Sequence, residues 1–203
     1  MIRLTADLYY SKGTHKECYL YPGDPHKCIK IPYNDWGVKD LNREIRYLHL
    51  LDRQHKDYSV LPRYYGTVET DHGTGHVFEL ITDYDGSKCR TLEDILHDAA
   101  FLEKYRDLVI GLLLDLNHNL YDNEIVTMGL FPINILFQRT APDQCRIRII
   151  NDMGSKTLFS PEYHLHWYAK NHVKKRWQGL IRYIKKKYKT PLPQEIAQAI
   201  SNV

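Results

Sequence analysis

The sequence predicts an α+β fold in two small lobes: an antiparallel sheet with one helix over residues 1–82, then a reduced, mostly helical part over residues 83–203. Three observations lead there. Before residue 82 the apolar residues alternate in short runs rich in Tyr, Val and Ile, the pattern of half-buried strands. After it they recur at i, i+3 and i+4, the pattern of amphipathic helices. The exception is GLFPINILFQRTAPDQCRIRIINDMG, residues 129–154, in which two apolar runs flank a polar turn and so read as a hairpin.

Taken in order, TADLYYSKG, ECYLYP and KCIKI read as strands separated by the turns GTH and PGDPH. A helix is expected from Lys39 to His55, with Leu41, Glu44, Leu48 and Leu51 on one face. PRYYGTVET and HVFELI follow as strands, and TDYDGSKC is a polar connection whose Asp83 and Asp85 read as turn residues. TLEDIL is a short helix with Thr91 as N-cap and Asp94 where a capping box places its carboxylate. Leu108, Leu112, Asp115, Leu116 and Leu120 then line one side of a helix expected over Leu102 to Tyr121. Asp122 and Glu124 fall at its exposed end. After the hairpin, HVKKRWQGLIRYIKKKYK sets Val173, Trp177, Leu180, Ile181, Ile184 and Tyr188 on one side of a last helix, ended by Pro191.

At 203 residues, 43% hydrophobic and 26% charged, without internal repeats, the chain has the make-up of one folded domain or two small lobes sharing a cleft. Its four cysteines form no C-x-x-C, and MIRLTADLYYSKG has no apolar h-region, so a reducing, cytoplasmic location is expected. The apolar run LVIGLLLDL is shorter than the roughly 18 residues that span a bilayer and is broken by Asp115, which predicts a soluble or peripheral protein. The net charge of +3 is uneven: Tyr163 to Gln194 holds nine Lys/Arg and no Asp/Glu.

Two charges sit where apolar residues belong. Strand alternation brackets Lys30 between Ile29 and Ile31, and Glu44 lies on the apolar stripe of its helix. Burying either alone costs several kcal/mol, at about the scale of an unpaired ion, so a Lys30–Glu44 pair across the strand–helix contact is the economical arrangement. A snorkelling lysine and a glutamate at the stripe's edge is the other reading. Asn134 and Asp152, at the two ends of the hairpin, read either as a turn cap and a strand end or as two oxygen donors facing one cation.

The order of these parts resembles the protein-kinase-like fold, and more closely the bacterial YrbL family, described as belonging to the PhoP regulatory network. The resemblance rests on G-T-H-K-E-C-Y-L-Y-P (13–22), C-I-K-I (28–31), R-E-I-R-Y-L (43–48), Y-Y-G-T-V (64–68), V-F-E-L-I-T-D-Y-D-G (77–86), T-L-E-D-I-L (91–96), G-L-F-P-I-N-I-L (129–136) and I-I-N-D-M-G (149–154). It implies an N-lobe over residues 1–82 and a reduced C-lobe over residues 83–203. It implies further that Lys30, held by Glu44, touches ATP phosphates, that the loop from Gly13 to Cys18 covers them, and that backbone groups around Glu79 to Ile81 meet adenine. Asn134 and Asp152 would hold Mg²⁺, with Asp152-Met153-Gly154 in the place of Asp-Phe-Gly.

The pattern departs from the kinase motif at two points. The phosphate loop has one glycine, Gly13, and Gly129 stands where H-R-D-L-x-x-x-N has its aspartate, so the expected general base is absent, and Asp122 and Glu124, a few residues upstream, are the candidates to replace it if they do not simply end the helix. The sequence therefore carries a phosphotransferase reading, with a small-molecule or lipopolysaccharide-type acceptor, and a pseudokinase reading in which nucleotide binding serves regulation. A third is a basic adaptor. The Lys174 to Lys189 helix reads as a docked helix with a solvated cationic face, or as a contact for an anionic surface; nucleic acid is not expected, because no recognised nucleic-acid motif accompanies the charge.

Overall fold

β1 (Tyr9–Lys12), β2 (Lys16–Tyr21), β3 (Asp24–Pro32), β4 (Tyr64–Thr70) and β5 (Gly73–Glu79) form one antiparallel sheet, ordered β1-β2-β3-β5-β4. These assignments come from a computed structural model that describes residues 1–157 and 160–201. The sheet is mixed with helices in an α+β arrangement. Ile29 and Ile31 of β3 point to one face, where they pack with Leu4 and Tyr19; Cys28 points to the other and joins the main core. Lys30 is half-buried on that second face, as the alternation requires.

α1 (Asp35–Arg53) crosses from β3 to β4 and buries Leu41, Glu44, Tyr47, Leu48 and Leu51. It begins four residues before the expected Lys39 because Asn34 caps it, its side chain accepting the Gly37 N–H at 2.9 Å. Gly37 is required there by space. A Cβ at this position would lie 2.2 Å from the His15 carbonyl oxygen, so only glycine lets the β1–β2 loop rest on the helix start.

A second, three-stranded antiparallel sheet joins β6 (Arg90–Thr91), β7 (Ile135–Ala141) and β8 (Gln144–Ile149) in that order. α2 (Leu92–His97) has the expected capping box, with the Asp94 N–H donating to Thr91 Oγ1 at 3.0 Å and the Thr91 N–H donating to Asp94 at 2.8 Å. α3 (Ala99–Asp122) is capped by Asp98 and buries Leu102, Val109, Leu113, Leu116 and Leu120. The expected stripe was rotated by about one residue: Leu108 is 49% exposed, and Val109 and Leu113 take the core positions. Asp115 thereby stays in solvent. Glu124 is also not at an exposed end. It is buried, at positive φ, and paired with Lys56 at 2.5 Å and His166 at 2.6 Å.

α4 (His166–Lys187) starts six residues before the expected His172 and buries Val173, Trp177, Leu180, Ile181 and Ile184 of the stripe read from the sequence, along with Ala169; Tyr188, the last residue of that stripe, is buried just past the helix end. Pro191 does not merely stop it. α5 (Pro191–Ala199) starts at that proline, a residue whose fixed φ and missing N–H suit the first helical turn, and the Ile200 carbonyl beyond α5 accepts the Trp177 indole N–H at 3.0 Å. The main core runs without a break from Leu48 of α1 and Phe78 of β5 through Leu113 and Ile135 to Trp177 and Ile196. Among the described residues, no helix is long and apolar enough to cross a membrane.

Candidate functional site

A cleft of about 1020 Å³ opens between the β1–β2 loop, the β3–β5 side of the first sheet and the β7–β8 hairpin. Lys30, Glu79, Ile81, Asn134, Asn151 and Asp152 line it, so all the site residues read from the sequence except Glu44 reach its wall, with Gly13 on the loop and Gly129 just behind. The strand pattern explains the gathering. Lys30 and Cys28 share the inner face of β3, and the hairpin delivers Asn134 at its entry and Asp152 at its exit.

The expected Lys30–Glu44 pair is not made. Glu44, buried on α1, takes Lys16 of β2, whose ammonium is 3.3 Å from both carboxylate oxygens. A carboxylate on an apolar stripe needed a cation, and the register of β2 against β3 brought a nearer one. Glu44 also accepts the Asp152 N–H at 3.1 Å, which ties α1 to the end of the hairpin. Burial and the neighbouring Lys30 charge push the Lys16 ammonium below its ordinary pKa, against the pull of Glu44.

Lys30 is left with neutral partners. Its ammonium donates to the Ile150 carbonyl at 3.2 Å and to Asn151 Oδ1 at 3.5 Å, and stands over the Phe78 ring at 4.5 Å. Asn151 passes the chain on, donating to Asn134 Oδ1 at 3.1 Å, and Asn134 Nδ2 donates to Asp152 Oδ2 at 2.9 Å. The two expected metal ligands are therefore adjacent.

Four carboxylates line the cleft. Glu17, Asp40 and Glu79 are ion-paired, to Lys12, Arg43 and Arg148; Asp152 alone has no Lys or Arg within 4.0 Å among the described residues. Burial, then the Glu44 charge, raises its carboxyl above the ordinary range, with Arg43 and Lys16 opposing. Its backbone sits at φ 60°, a left-handed conformation uncommon outside glycine, pinned by the Met128 N–H on its carbonyl at 2.7 Å. Among the described residues no three His, Cys, Asp or Glu side chains converge as a metal cage. Asp152 and Asn134 are hard oxygen donors, so this set fits Mg²⁺ only where phosphate oxygens complete the shell.

At the inner wall the Leu80 N–H is used by the sheet, donating to the His26 carbonyl at 2.8 Å. The Ile81 N–H donates to no protein group among the described residues, and the Glu79 carbonyl has a Cys28 thiol at 4.0 Å. The Glu79 side chain turns away to Arg148, at 2.7 and 3.0 Å. Burial pushes that carboxyl up, but the guanidinium outweighs it and holds Glu79 below its ordinary value.

Over the cleft, Gly13 gives its N–H to the Lys16 carbonyl at 2.8 Å to close the β1–β2 turn. That donor is committed to the turn instead of a phosphate. The Tyr33 hydroxyl donates to the Gly13 carbonyl at 2.9 Å, and the Tyr33 N–H reaches the His15 carbonyl at 3.2 Å, so the loop is fastened to the start of α1. Asp83 and Asp85 do more than turn the chain. Both bind Arg139 of β7, at 2.6 and 2.7 Å, and Asp83 is buried.

The space beside Gly129 is taken by an aromatic ring. A Cβ at Gly129 would lie 2.5 Å from Cε2 of Phe131, whose ring covers the spot and packs edge-on against Tyr183 of α4, with centroids 6.3 Å apart. Glu124 is engaged by Lys56 and His166, and neither it nor Asp122 lines the cleft.

Sequence reasoning missed Lys16, Arg148, Asn151 and the Phe131–Tyr183 lid. The alternation of KECYLY would have put Lys16 on the same face as Cys18; no local signal marked the others.

Over residues 2–185 the chain matches the model of a family described as PhoP regulatory network protein YrbL. It is 38% identical over 183 residues to "Uncharacterized protein YrbL" of Escherichia coli (strain K12), an alignment that covers 89% of this chain and 87% of the relative. The same identity and coverage hold for the protein of that name from Shigella flexneri.

Proposed function

We propose that this chain, which belongs to the YrbL family, is a two-lobed, kinase-like protein that binds ATP with Mg²⁺ in the cleft between residues 1–82 and 83–203. The observation that carries the reading is a pairing mismatch. Among the described residues, Lys30 faces the cleft with no carboxylate within 4.0 Å and Asp152 with no Lys or Arg within 4.0 Å, both in one hydrogen-bonded chain through Asn151 and Asn134. An anion bearing its own divalent cation satisfies both at once.

In this reading Lys30 binds the phosphates, and Lys16 adds a second positive charge while holding Glu44 in place. Asp152 and Asn134 would hold the Mg²⁺, which would supply charge neutralisation at the phosphates. The Ile81 N–H and the Glu79 carbonyl present a donor and an acceptor to the base. Phosphoryl transfer draws mainly on positioning and electrostatic stabilisation, and these residues provide both. The acceptor would be a small molecule that enters past Phe131, Ile133 and Tyr183.

Gly129 favours a second reading, a pseudokinase. General-base catalysis contributes roughly 10²–10⁴-fold, and the Phe131 ring occupies the place where a base would stand. The chain would then bind nucleotide as a regulatory module with little or no turnover.

Titrating ATP with and without Mg²⁺ against wild type, Lys30→Ala and Asp152→Ala tests both readings. Metal-dependent binding lost in both variants is expected. If wild type shows no such binding, both readings fall. If it binds but labelled γ-phosphate never leaves ATP across a broad acceptor screen, the regulatory reading replaces the phosphotransferase.

A further inference from the structure

α4 turns its apolar stripe inward, and what it turns outward is unusually uniform. Tyr168, Lys175, Arg182 and Lys186 follow one another at i+7, i+7 and i+4 spacing on the side opposite Val173, Trp177 and Ile184, and Trp167, Lys174 and Lys185 flank that face. The helix contains no Asp or Glu. Lys174, Lys175, Arg182 and Lys186 are exposed, and none has a carboxylate within 4.0 Å among the described residues. At 1.5 Å per residue, the face from Trp167 to Lys186 is about 29 Å long.

One end of this face is apolar. Trp167 is 67% exposed, Tyr168 is 44% exposed, and Leu165, just ahead of the helix, is 52% exposed. Trp167 and Tyr168 pack edge to face with centroids 4.8 Å apart, an arrangement that presents a wedge instead of two parallel stacking platforms.

We propose that this face docks the protein on an anionic bilayer. Lysines and arginines spread along a straight helix match a flat, diffuse sheet of negative headgroups, and Trp and Tyr at one end suit the headgroup boundary. Nucleic acid fits less well: an aliphatic Leu165 beside the aromatic pair has no base to stack on but gains from entering the acyl boundary. Tyr183 of the same helix lines the cleft. The proposal does not depend on nucleotide binding.

Co-sedimentation of the full chain with phosphatidylcholine vesicles, with and without phosphatidylglycerol, tests it. At about 0.1 M salt, binding to the anionic vesicles should exceed binding to neutral ones by roughly tenfold or more, and should fall as salt rises. Lys175→Glu/Arg182→Glu/Lys186→Glu should lose that preference with an unchanged thermal midpoint, because these side chains face solvent. Trp167→Ser/Tyr168→Ser should weaken the binding that survives at high salt. The proposal is overturned if wild type ignores anionic vesicles, if it binds neutral ones equally, or if the triple variant folds and binds as wild type does. Tighter binding to duplex DNA or RNA than to anionic vesicles under the same conditions would overturn it in favour of nucleic acid.

Discussion

Lys16 of β2 and buried Glu44 of α1 form an ion pair at the cleft wall, with the ammonium 3.3 Å from each carboxylate oxygen. Because Glu44 also accepts the Asp152 N–H, this one carboxylate joins the sheet, the helix and the end of the hairpin. The pairing has a second effect. It releases Lys30 from any structural duty toward Glu44 and leaves its charge facing the cleft.

Lys16→Met should therefore destabilise the protein more than Lys30→Met, by about 3 kcal/mol in chemical denaturation, because it strands a buried carboxylate. Lys16→Met/Glu44→Gln should recover much of that loss. Equal losses for the two single lysine variants would show that Glu44 does not depend on Lys16.

Asp152 should be a stability liability at neutral pH. Its folded-state pKa is raised above 3.8, so the unfolded chain holds fewer protons between 3.8 and the folded value, and the contribution of Asp152 falls as pH rises through that window. Asp152→Asn should raise the thermal midpoint at pH 7, with the gain vanishing in acid. Solvent at the cleft mouth keeps it small, at most about 2–4 °C, the shift that roughly 1 kcal/mol makes in a chain of this size. The same variant should lose Mg²⁺-dependent ATP binding. A lower midpoint at pH 7 would contradict the raised pKa.

Glu79 runs the opposite way. Its carboxyl is held below 4.5 by Arg148, so the stability it contributes is fully present above that value and is lost as pH falls through the folded pKa. The difference in unfolding free energy between wild type and Glu79→Gln should be largest near neutrality and close in acid. Arg148→Met should be the more damaging change, by about 3–5 kcal/mol, since it leaves Glu79 unpaired and removes the donor to the Leu61 carbonyl at 3.0 Å.

On the phosphotransferase reading, the Phe131 ring makes the absence of an acid at Gly129 a two-residue problem. Gly129→Asp alone should lower stability and gain little activity, because the new side chain meets Phe131 at once. Gly129→Asp/Phe131→Ala should increase single-turnover phosphoryl transfer from ATP by about 10²-fold or more over wild type. No gain in the double variant, with ATP binding intact, would favour the regulatory reading.

Much of the fold was legible in the sequence. The five strands of the first sheet, the hairpin, the Thr91–Asp94 capping box, the Glu44 position on the α1 stripe and the Trp177 stripe of α4 follow from side-chain periods and short capping distances, whereas Ala6–Leu8, within the expected strand TADLYYSKG, forms a 3-10 turn and β6 has no pattern of its own. Errors of one residue or one element arose where periodicity was ambiguous. In α3 a leucine-rich run offers two neighbouring stripes, and the core selected Val109 and Leu113 over Leu108 and Leu112. Pro191 reads equally as a stop or as the first residue of a new helix, and only the packing around Trp177 and Ile200 distinguishes them.

The candidate site divides along the same line. Lys30, Glu44, Asn134 and Asp152 were found because each is a polar residue at a position that its own segment marks as apolar or terminal. That Glu44 belongs to Lys16, that Arg148 reaches Glu79 across 69 residues of chain, and that Phe131 covers Gly129 were decided by tertiary structure. A sequence by itself determines which charges must be buried, since burial follows local pattern. Which opposite charge arrives first depends on strand register and on how sheet, helix and hairpin pack, and those distances exist only in the folded chain.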